Sequence, residues 1–517
     1  MSRRYYAVAW AVIFLIAFAL RALPIFAGQP YISYVDEGHV LHRVINMISA
    51  RTWDPNWYRY PSFVMYLIII GAYIFSTISM LIGCHTFADI MANSFVPSGY
   101  YDIIEPSSII IVGRMVVLLF SIGIVILVAV IAKRLSGHPA GMMASLFAAT
   151  VPALVIRSSI VIVDTPATFF TTACLYFSLR MHEDNRRSPY AIIAGIMAGF
   201  AFSSKYPAGS VYVVVVTTIL IRNWSLLEKG HALLSSVIGL VLGALIAMPT
   251  LLSRFNTVLM DIRLQASVYR HSSTLLSYWD QALSKAELGP VFLIFALIGI
   301  GILFTRRLTR TVAISWIAFA VVLIGWLTRS RYQHFRNLLP LVPIGCITIG
   351  IFWGKLFEFS RRLRPVTVVV AIGVVVAMTM GPAYSYIQRQ LRLEDTRVQS
   401  VKWMAENVSR EDRVLIIEEQ TFLPSHLQQL KCHINIIPLW KTREFLKQNQ
   451  DIGYVVTGEF DVPPVDNSGK SVNLDAWSEY LEELDIQIKF GTRHTPSLLI
   501  TWRSNDQLIK IFKVPQR

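Results

Sequence analysis

Two adjacent carboxylates, two histidines and an arginine crowd into eight residues, Asp36-Glu37-Gly-His39-Val-Leu-His42-Arg43, directly after a strongly apolar N-terminal run. At 100° per residue, Asp36, His39, His42, Arg43 and Asn46 fall within one arc of roughly 120°. Val40, Leu41, Val44, Ile45, Met47 and Ile48 fill the opposite arc. The pattern predicts an amphipathic helix over 36–50 that lies on a bilayer, with its apolar side in lipid and its ionisable side facing a cavity. Glu37 falls on the apolar side and is expected to bend back to the aqueous edge. The plain alternative is that Asp36 and Glu37 only complement a helix N-terminus.

Further along, Asp164 stands at the head of an apolar run in Arg157-Ser-Ser-Ile-Val-Ile-Val-Asp164-Thr-Pro, a context that also suits helix capping. Lys205-Tyr206 separates two short apolar runs, and Arg329-Ser-Arg331-Tyr-Gln-His334-Phe-Arg336 precedes another. A carboxylate near a bilayer can take a proton from an acceptor hydroxyl. Cations there can hold a phosphate and stabilise the charge on it as it leaves. Together these groups suit sugar transfer from a polyprenyl phosphate. Trp53, Asp54, Trp57, Tyr58, Arg59 and Tyr60 add ring faces, and a further carboxylate and arginine, on the first polar excursion.

These residues need a frame, and the composition supplies it. The 517 residues are 54% hydrophobic and 15% charged, with mean hydropathy +0.52. Apolar runs at 5–26, 108–132, 139–157, 162–180, 189–203, 207–222, 232–252, 289–305, 311–328, 337–357 and 365–383 give about eleven spans on a threshold of about 20 residues. The class is a polytopic all-α membrane domain. The net charge of +15 does not point to nucleic acid, because the basic residues cluster at the ends of apolar runs, as membrane topology requires. The expected topology has the N-terminus inside and the C-terminus outside. It needs 62–83 to dip into or lie along the outer leaflet, within one external excursion from 27 to 107. The Arg329–Arg336 cluster then breaks the positive-inside rule, which points to an anionic ligand outside or to lipid headgroups.

Beyond residue 383 the composition changes. A helix from 393, a Ser-Arg-Glu-Asp turn, a strand ending near 418 and further strands at 452–460 and 494–503 predict an external α/β domain over 384–517, with a membrane transferase domain over 1–383. Four cysteines lie far apart without metal spacing; Cys84 and Cys432 could share a compartment, and no pairing follows.

With Arg21, Asp36-Glu37, Trp53-Asp54-Pro55, Tyr60-Pro61-Ser62, Arg157…Asp164-Thr-Pro, Ser204-Lys205-Tyr206, Arg331-Tyr332…Arg336-Asn337-Leu-Leu-Pro340 and Pro343 in view, the chain resembles the C-superfamily membrane glycosyltransferases. It resembles in particular glycosyltransferase family 39, which includes protein O-mannosyltransferases and the aminoarabinose transferases of lipid A. The resemblance implies an inverting enzyme with Asp36 as the base, assisted by Glu37. It implies Asp164 positioning the acceptor or a metal, and Lys205, Arg331, Arg336, Arg329, His334 and Arg157 holding the donor phosphate. His39, His42, Arg43, Tyr60 and Tyr206 would position substrate. Some relatives use a divalent cation and others none; if present, it would sit on Asp36 and Asp164. The Glu-Lys-Pro-Pro pattern of the aminoarabinose transferases is replaced by Arg59-Tyr60-Pro61-Ser62, which argues against lipid A as acceptor. Protein, glycan and other lipid acceptors stay open.

Two other classes fit less well. A flippase for the same lipids would carry charges at mid-membrane and repeat symmetry. An O-antigen-type polymerase or ligase does not need the Asp-Glu pair after the first span. The compact plan and the absence of an ER-retrieval signal point to a prokaryotic plasma membrane.

Overall fold

The computed structural model describes residues 3–27, 35–81, 108–183, 189–268, 276–284, 287–328, 334–359, 364–392, 395–417, 430–437, 445, 448–449, 451–458, 485–490 and 509–513. Two compact units emerge. The first comprises Met1–Phe26, His39–Ser94 and Ser108–Gln388; the second comprises Ala27–Gly38, Phe95–Ser107 and Arg389–Arg517.

The first unit is helical. Its elements are α1 (Arg3–Ala22), α2 (Val35–Ser49, whose first turn belongs to the second unit), α3 (Phe63–Leu81), α4 (Ser108–Thr150), α5 (Asp164–Glu183), α6 (Pro189–Ser204), α7 (Tyr212–Ile221) and α8 (Leu226–Ala247). They are followed by α9 (Phe255–Val268), α10 (Leu276–Leu283), α11 (Pro290–Leu303), α12 (Arg307–Leu327), α13 (Val342–Phe359), α14 (Arg364–Val375) and α15 (Gly381–Arg392). Six helical stretches among the described residues are long and apolar enough to cross a membrane, and three shorter apolar helices accompany them. The chain is therefore an integral membrane protein by length and composition of its helices. The longest stretch, α4, is broken at Ser136 and Gly137, where Gly137 takes φ +84°, so it reads as two segments, matching the two sequence runs at 108–132 and 139–157.

Apolar residues that meet no protein, such as Leu15, Phe18, Leu234 and Ile246, stay exposed on these helices, as lipid-facing positions should. Residues 63–81 form one apolar helix of 19 residues. That is long enough to cross by length and composition, where the sequence reading expected a stretch that dips or lies flat; its continuation over 82–107 lies outside the described residues.

Without a hydrophobic force between helices in lipid, close backbone approach carries the packing. α6 and α8 do this reciprocally. A Cβ on Gly195 would stand 2.1 Å from the Ser236 carbonyl oxygen, and one on Gly199 would stand 2.4 Å from that of Leu240. From the other side, Gly239 and Gly243 face the carbonyls of Ile192 and Ile196 at 2.2 and 2.4 Å. Each helix thus carries a small-residue step of four against the other. Gly199→Leu is expected to destabilise the protein by at least the ~1–3 kcal/mol typical of overpacking. The melting temperature in detergent reads it, and an unchanged value would contradict this packing.

Arg21, fully buried on α1, donates to Ser121 Oγ at 2.7 Å and to the carbonyls of Ala148 and Ala149 at 2.8 and 2.7 Å. Its charge answers the last turn of α4, where the helix dipole is negative. This residue of the family pattern is a joint between helices.

The second unit carries α16 (Thr396–Asn407) and strands β1 (Arg413–Ile417), β2 (His433–Ile437), β3 (Ile452–Gly458), β4 (Asp485–Phe490) and β5 (Ile509–Lys513). The sheet order is β2-β1-β3-β5-β4. β1 pairs in parallel with β2 and β3, whereas β5 runs antiparallel to β3 and β4. Central β1 is buried on both faces after Arg413, which fits its unbroken Val-Leu-Ile-Ile run. Val401 and Met404 of α16 pack on Val414, Ile416, Tyr454, Val456 and Ile511. Asp395 caps α16 by accepting the Arg397 N–H at 2.9 Å. The strand expected over 494–503 lies outside the described residues, as does Cys84; Cys174, Cys346 and Cys432 are free thiols.

Candidate active site

α2 folds as its periodicity predicts, with Val40, Leu41, Val44, Ile45, Met47 and Ile48 between 0% and 6% exposed. Those side chains are covered by protein rather than lipid, which corrects the expectation of an apolar face lying in a bilayer. Leu41 comes so close to α4 that a Cβ on Gly113 would sit 3.1 Å from its Cδ2. Glu37 is fully buried and does not bend to an aqueous edge; the apolar arc on which the period places it is the packed one. Asp36, His39, His42 and Arg43 are half-buried and Asn46 is exposed.

From His39 on, the polar side of α2 meets the loop that follows. The His39 ring stacks on Trp57 with centroids 6.0 Å apart, Arg43 lies 5.4 Å over the same indole, and Tyr60 meets its edge at 5.4 Å. Burial, then the nearby Arg43, His42 and Arg59 charges, hold the His39 imidazole below its ordinary range. Burial and Arg43 do the same to His42, which favours the neutral form of both rings.

The loop is clamped from several sides. Asp54 accepts from the Tyr58 hydroxyl at 2.7 Å, the Asn56 N–H at 2.8 Å and Arg254 Nε at 2.7 Å. Burial alone would raise the Asp54 carboxyl, but these donors outweigh it and hold the group below its ordinary value. The Tyr58 N–H donates to Asp261 Oδ2 at 2.7 Å, and the Tyr206 hydroxyl donates to the Tyr58 carbonyl at 2.8 Å.

Tyr206 leads to the second cluster, since Lys205 precedes it in extended conformation at the start of a short 3-10 helix. Lys205 Nζ donates to Asp164 Oδ1 at 2.5 Å and to Asn337 Oδ1 at 2.7 Å. Asp164 is 3% exposed at the head of α5, and its carboxylate takes Lys205 as partner rather than capping the helix among the described residues. Three chain segments, with Asp164 41 residues and Asn337 132 residues from Lys205, therefore meet at one ammonium group. His334 opens the 3-10 helix Phe335–Leu341 that carries Asn337. Burial and the charges of Lys205 and Arg157, against the pull of Asp164, lower its imidazole from the ordinary range.

Arg157 is the remaining cation here, and it is answered by a carboxylate that sequence reading overlooked. Its guanidinium pairs in a fork with Glu287, Nη1 to Oε2 at 2.6 Å and Nη2 to Oε1 at 2.5 Å. Burial pushes the Glu287 carboxyl up, and Arg157 pulls it back. Arg336 is half-buried beside Asn337, whereas Arg329 and Arg331 lie outside the described residues. Asn337, Glu287, Arg254 and Asp261 were not legible as partners, because each reaches its contact from far along the chain. Asn337 alone carried a signal, as part of the Arg336-Asn337-Leu-Leu-Pro340 run.

Among the described residues no three His, Cys, Asp or Glu side chains gather as a metal site. The Asp164 oxygen that would ligate a cation already holds an ammonium group. No step below uses a metal.

The sequence model of dolichyl-phosphate-mannose-protein mannosyltransferases matches residues 107–252, the stretch that holds Arg157, Asp164, Lys205 and Tyr206. No curated protein matches the chain in sequence. Among solved structures, ArnT from Cupriavidus metallidurans bound to undecaprenyl phosphate is similar at TM-score 0.55 and 13% identity, over 99% of this chain and 98% of ArnT. Its apo state gives 0.54 at the same identity, over 98% and 97%. The apo oligosaccharyltransferase of Archaeoglobus fulgidus gives 0.50 at 14% identity, over 88% of this chain and 70% of that one. At such identities the likeness is one of fold. The chain resembles the C-superfamily membrane glycosyltransferases in its motifs, in that family match and in its fold.

Proposed function

We propose that the protein is an inverting glycosyltransferase that moves a sugar from a polyprenyl-phosphate donor to an acceptor hydroxyl on the extracytoplasmic side of a prokaryotic plasma membrane. The observation that carries this reading is the buried Asp164–Lys205–Asn337 junction, set in a membrane fold shared with an enzyme crystallised on undecaprenyl phosphate.

Asp36 takes the proton as the acceptor oxygen attacks the anomeric carbon. The bond from that carbon to the phosphate oxygen breaks, and polyprenyl phosphate leaves with the electron pair. Because one displacement occurs, the configuration inverts. Asp164, held in place by Lys205, orients the acceptor. The phosphate is met by arginines from the first helix and its loop and from the Arg329–Arg336 cluster. Among the described residues Arg43 and Arg59 form no ion pair, and Arg336 with Arg329 and Arg331 adds the cluster already implicated by sequence. Lys205 and Arg157 act instead through the carboxylates they hold. The tail of the donor lies in lipid, and Trp57 and Tyr60 offer ring faces to the sugar. The topology with the N-terminus inside and the C-terminus outside is supported by the basic and aromatic ends of helices on the other side, where Arg134 lies over Tyr176, Arg180 over Tyr190 and Arg222 over Trp224.

The test is transfer by purified protein given radiolabelled polyprenyl-phosphate sugars with membrane extract as acceptor. Label is expected to move from one donor into product. Donor binding without transfer from any donor would instead favour a flippase of the same lipids.

A further inference from the structure

The Asp164–Lys205–Asn337 junction draws its atoms from three segments, yet two of them are anchored by a fourth that contributes no atom to it. That segment is α10 and the turn after it, closed by Gly289 at φ +79°. Glu287, 2% exposed, grips the Arg157 guanidinium, and its backbone carbonyl accepts the Ala153 N–H at 3.2 Å. The carbonyl of Arg157 in turn accepts the Thr165 hydroxyl at 2.9 Å, one residue from Asp164. The same guanidinium lies 5.6 Å over the ring of Phe335. The Phe335 N–H donates to Gln281 Oε1 at 2.7 Å, in the last turn of α10. Phe335 opens the short helix on which Asn337 follows, with the Asn337 N–H bonded to the His334 carbonyl at 3.0 Å.

From this geometry we infer that Glu287 is a positioning residue. Acting through Arg157 and Phe335, it fixes Asp164 and Asn337 on either side of Lys205, and Arg157 is its intermediary and not a phosphate ligand. The chemistry explains the choice of residues. A planar arginine fork can bind a carboxylate with one edge and present its face to an aromatic ring at the same time. A lysine, a point charge on a flexible stem, has no planar edge and face to divide between the two. This inference rests on the transferase reading for its meaning in catalysis but not for its geometry.

Two variants of the full-length protein separate positioning from folding. Glu287→Leu leaves Arg157 buried without its carboxylate, and the melting temperature should fall. The double variant Arg157→Met with Glu287→Leu replaces a buried pair by apolar groups of similar volume, which proteins commonly tolerate, so most of the lost stability should return. It should still misplace the junction, lowering kcat at least about tenfold with donor KM within about twofold, as a loss of orientation does. A second readout needs no substrate: the rate at which an amine-selective acylating reagent labels Lys205, followed by mass spectrometry. That rate should rise severalfold in the double variant as the grip of Asp164 and Asn337 loosens. A double variant with native kcat and native Lys205 labelling would overturn the inference. So would a raised donor KM at unchanged kcat, which would make Arg157 a ligand. A native protein that moves no sugar would defeat the transferase reading alone, because the labelling still decides the positioning role.

Discussion

Asp36→Asn is expected to lower kcat by about 10²–10⁴-fold, the range that a positioned general base supplies. Asparagine keeps the size and shape of the side chain but cannot accept a proton at neutral pH. The fold should survive, because Asp36 lies on the half-buried polar arc of α2 while the opposite arc does the packing. Donor binding should likewise persist, since the arginines that meet the phosphate keep their charge. Initial rates with saturating donor, beside a melting curve, check both halves. Glu37→Gln makes a useful contrast. Glu37 is fully buried, so its change should reach stability first, and a loss confined to kcat at Glu37 with none at Asp36 would reverse the two roles.

Lys205→Met is expected to destabilise the protein by about 3–5 kcal/mol, the usual loss when one partner of a buried ion pair is removed. The change removes the ammonium group from which both Asp164 Oδ1 and Asn337 Oδ1 accept. Asp164 is almost wholly buried, so its charge would lose the partner that offsets its desolvation. Adding Asp164→Asn should recover a large part of the stability, because the amide supplies a donor and removes the charge, but it should not recover transfer. Denaturation in detergent measures the first effect and the transfer assay the second. A Lys205→Met protein as stable and as active as the native one would mean that the junction holds nothing together.

The sequence was most readable where function and periodicity coincide. The two arcs of α2 follow from 100° steps alone, and the same steps put Glu37 on the packed side; the error was to expect its charge to escape. Asp164 and Lys205 stood out because each breaks an apolar run at a membrane edge. Their union was not legible, since a 41-residue separation says nothing about contact. Glu287 was invisible for a stronger reason. On its own it is one acid in a polar loop, and only the position of Arg157, 130 residues away, gives it a role. The small-residue steps on α6 and α8 are visible as local patterns, but that each answers the other is a fact of packing. The α/β unit was legible in class from its β-rich runs, whereas its strand order depends on long-range pairing that local pattern does not encode.

The measurement that bears most directly on the central claim sets native protein and Asp36→Asn side by side, with each radiolabelled polyprenyl-phosphate sugar, scoring donor binding and labelled product in the same samples. The account predicts that both proteins bind one donor equally and only the native protein forms product. Equal product from both would remove Asp36 as the base, and binding by both with product from neither would contradict the transferase itself.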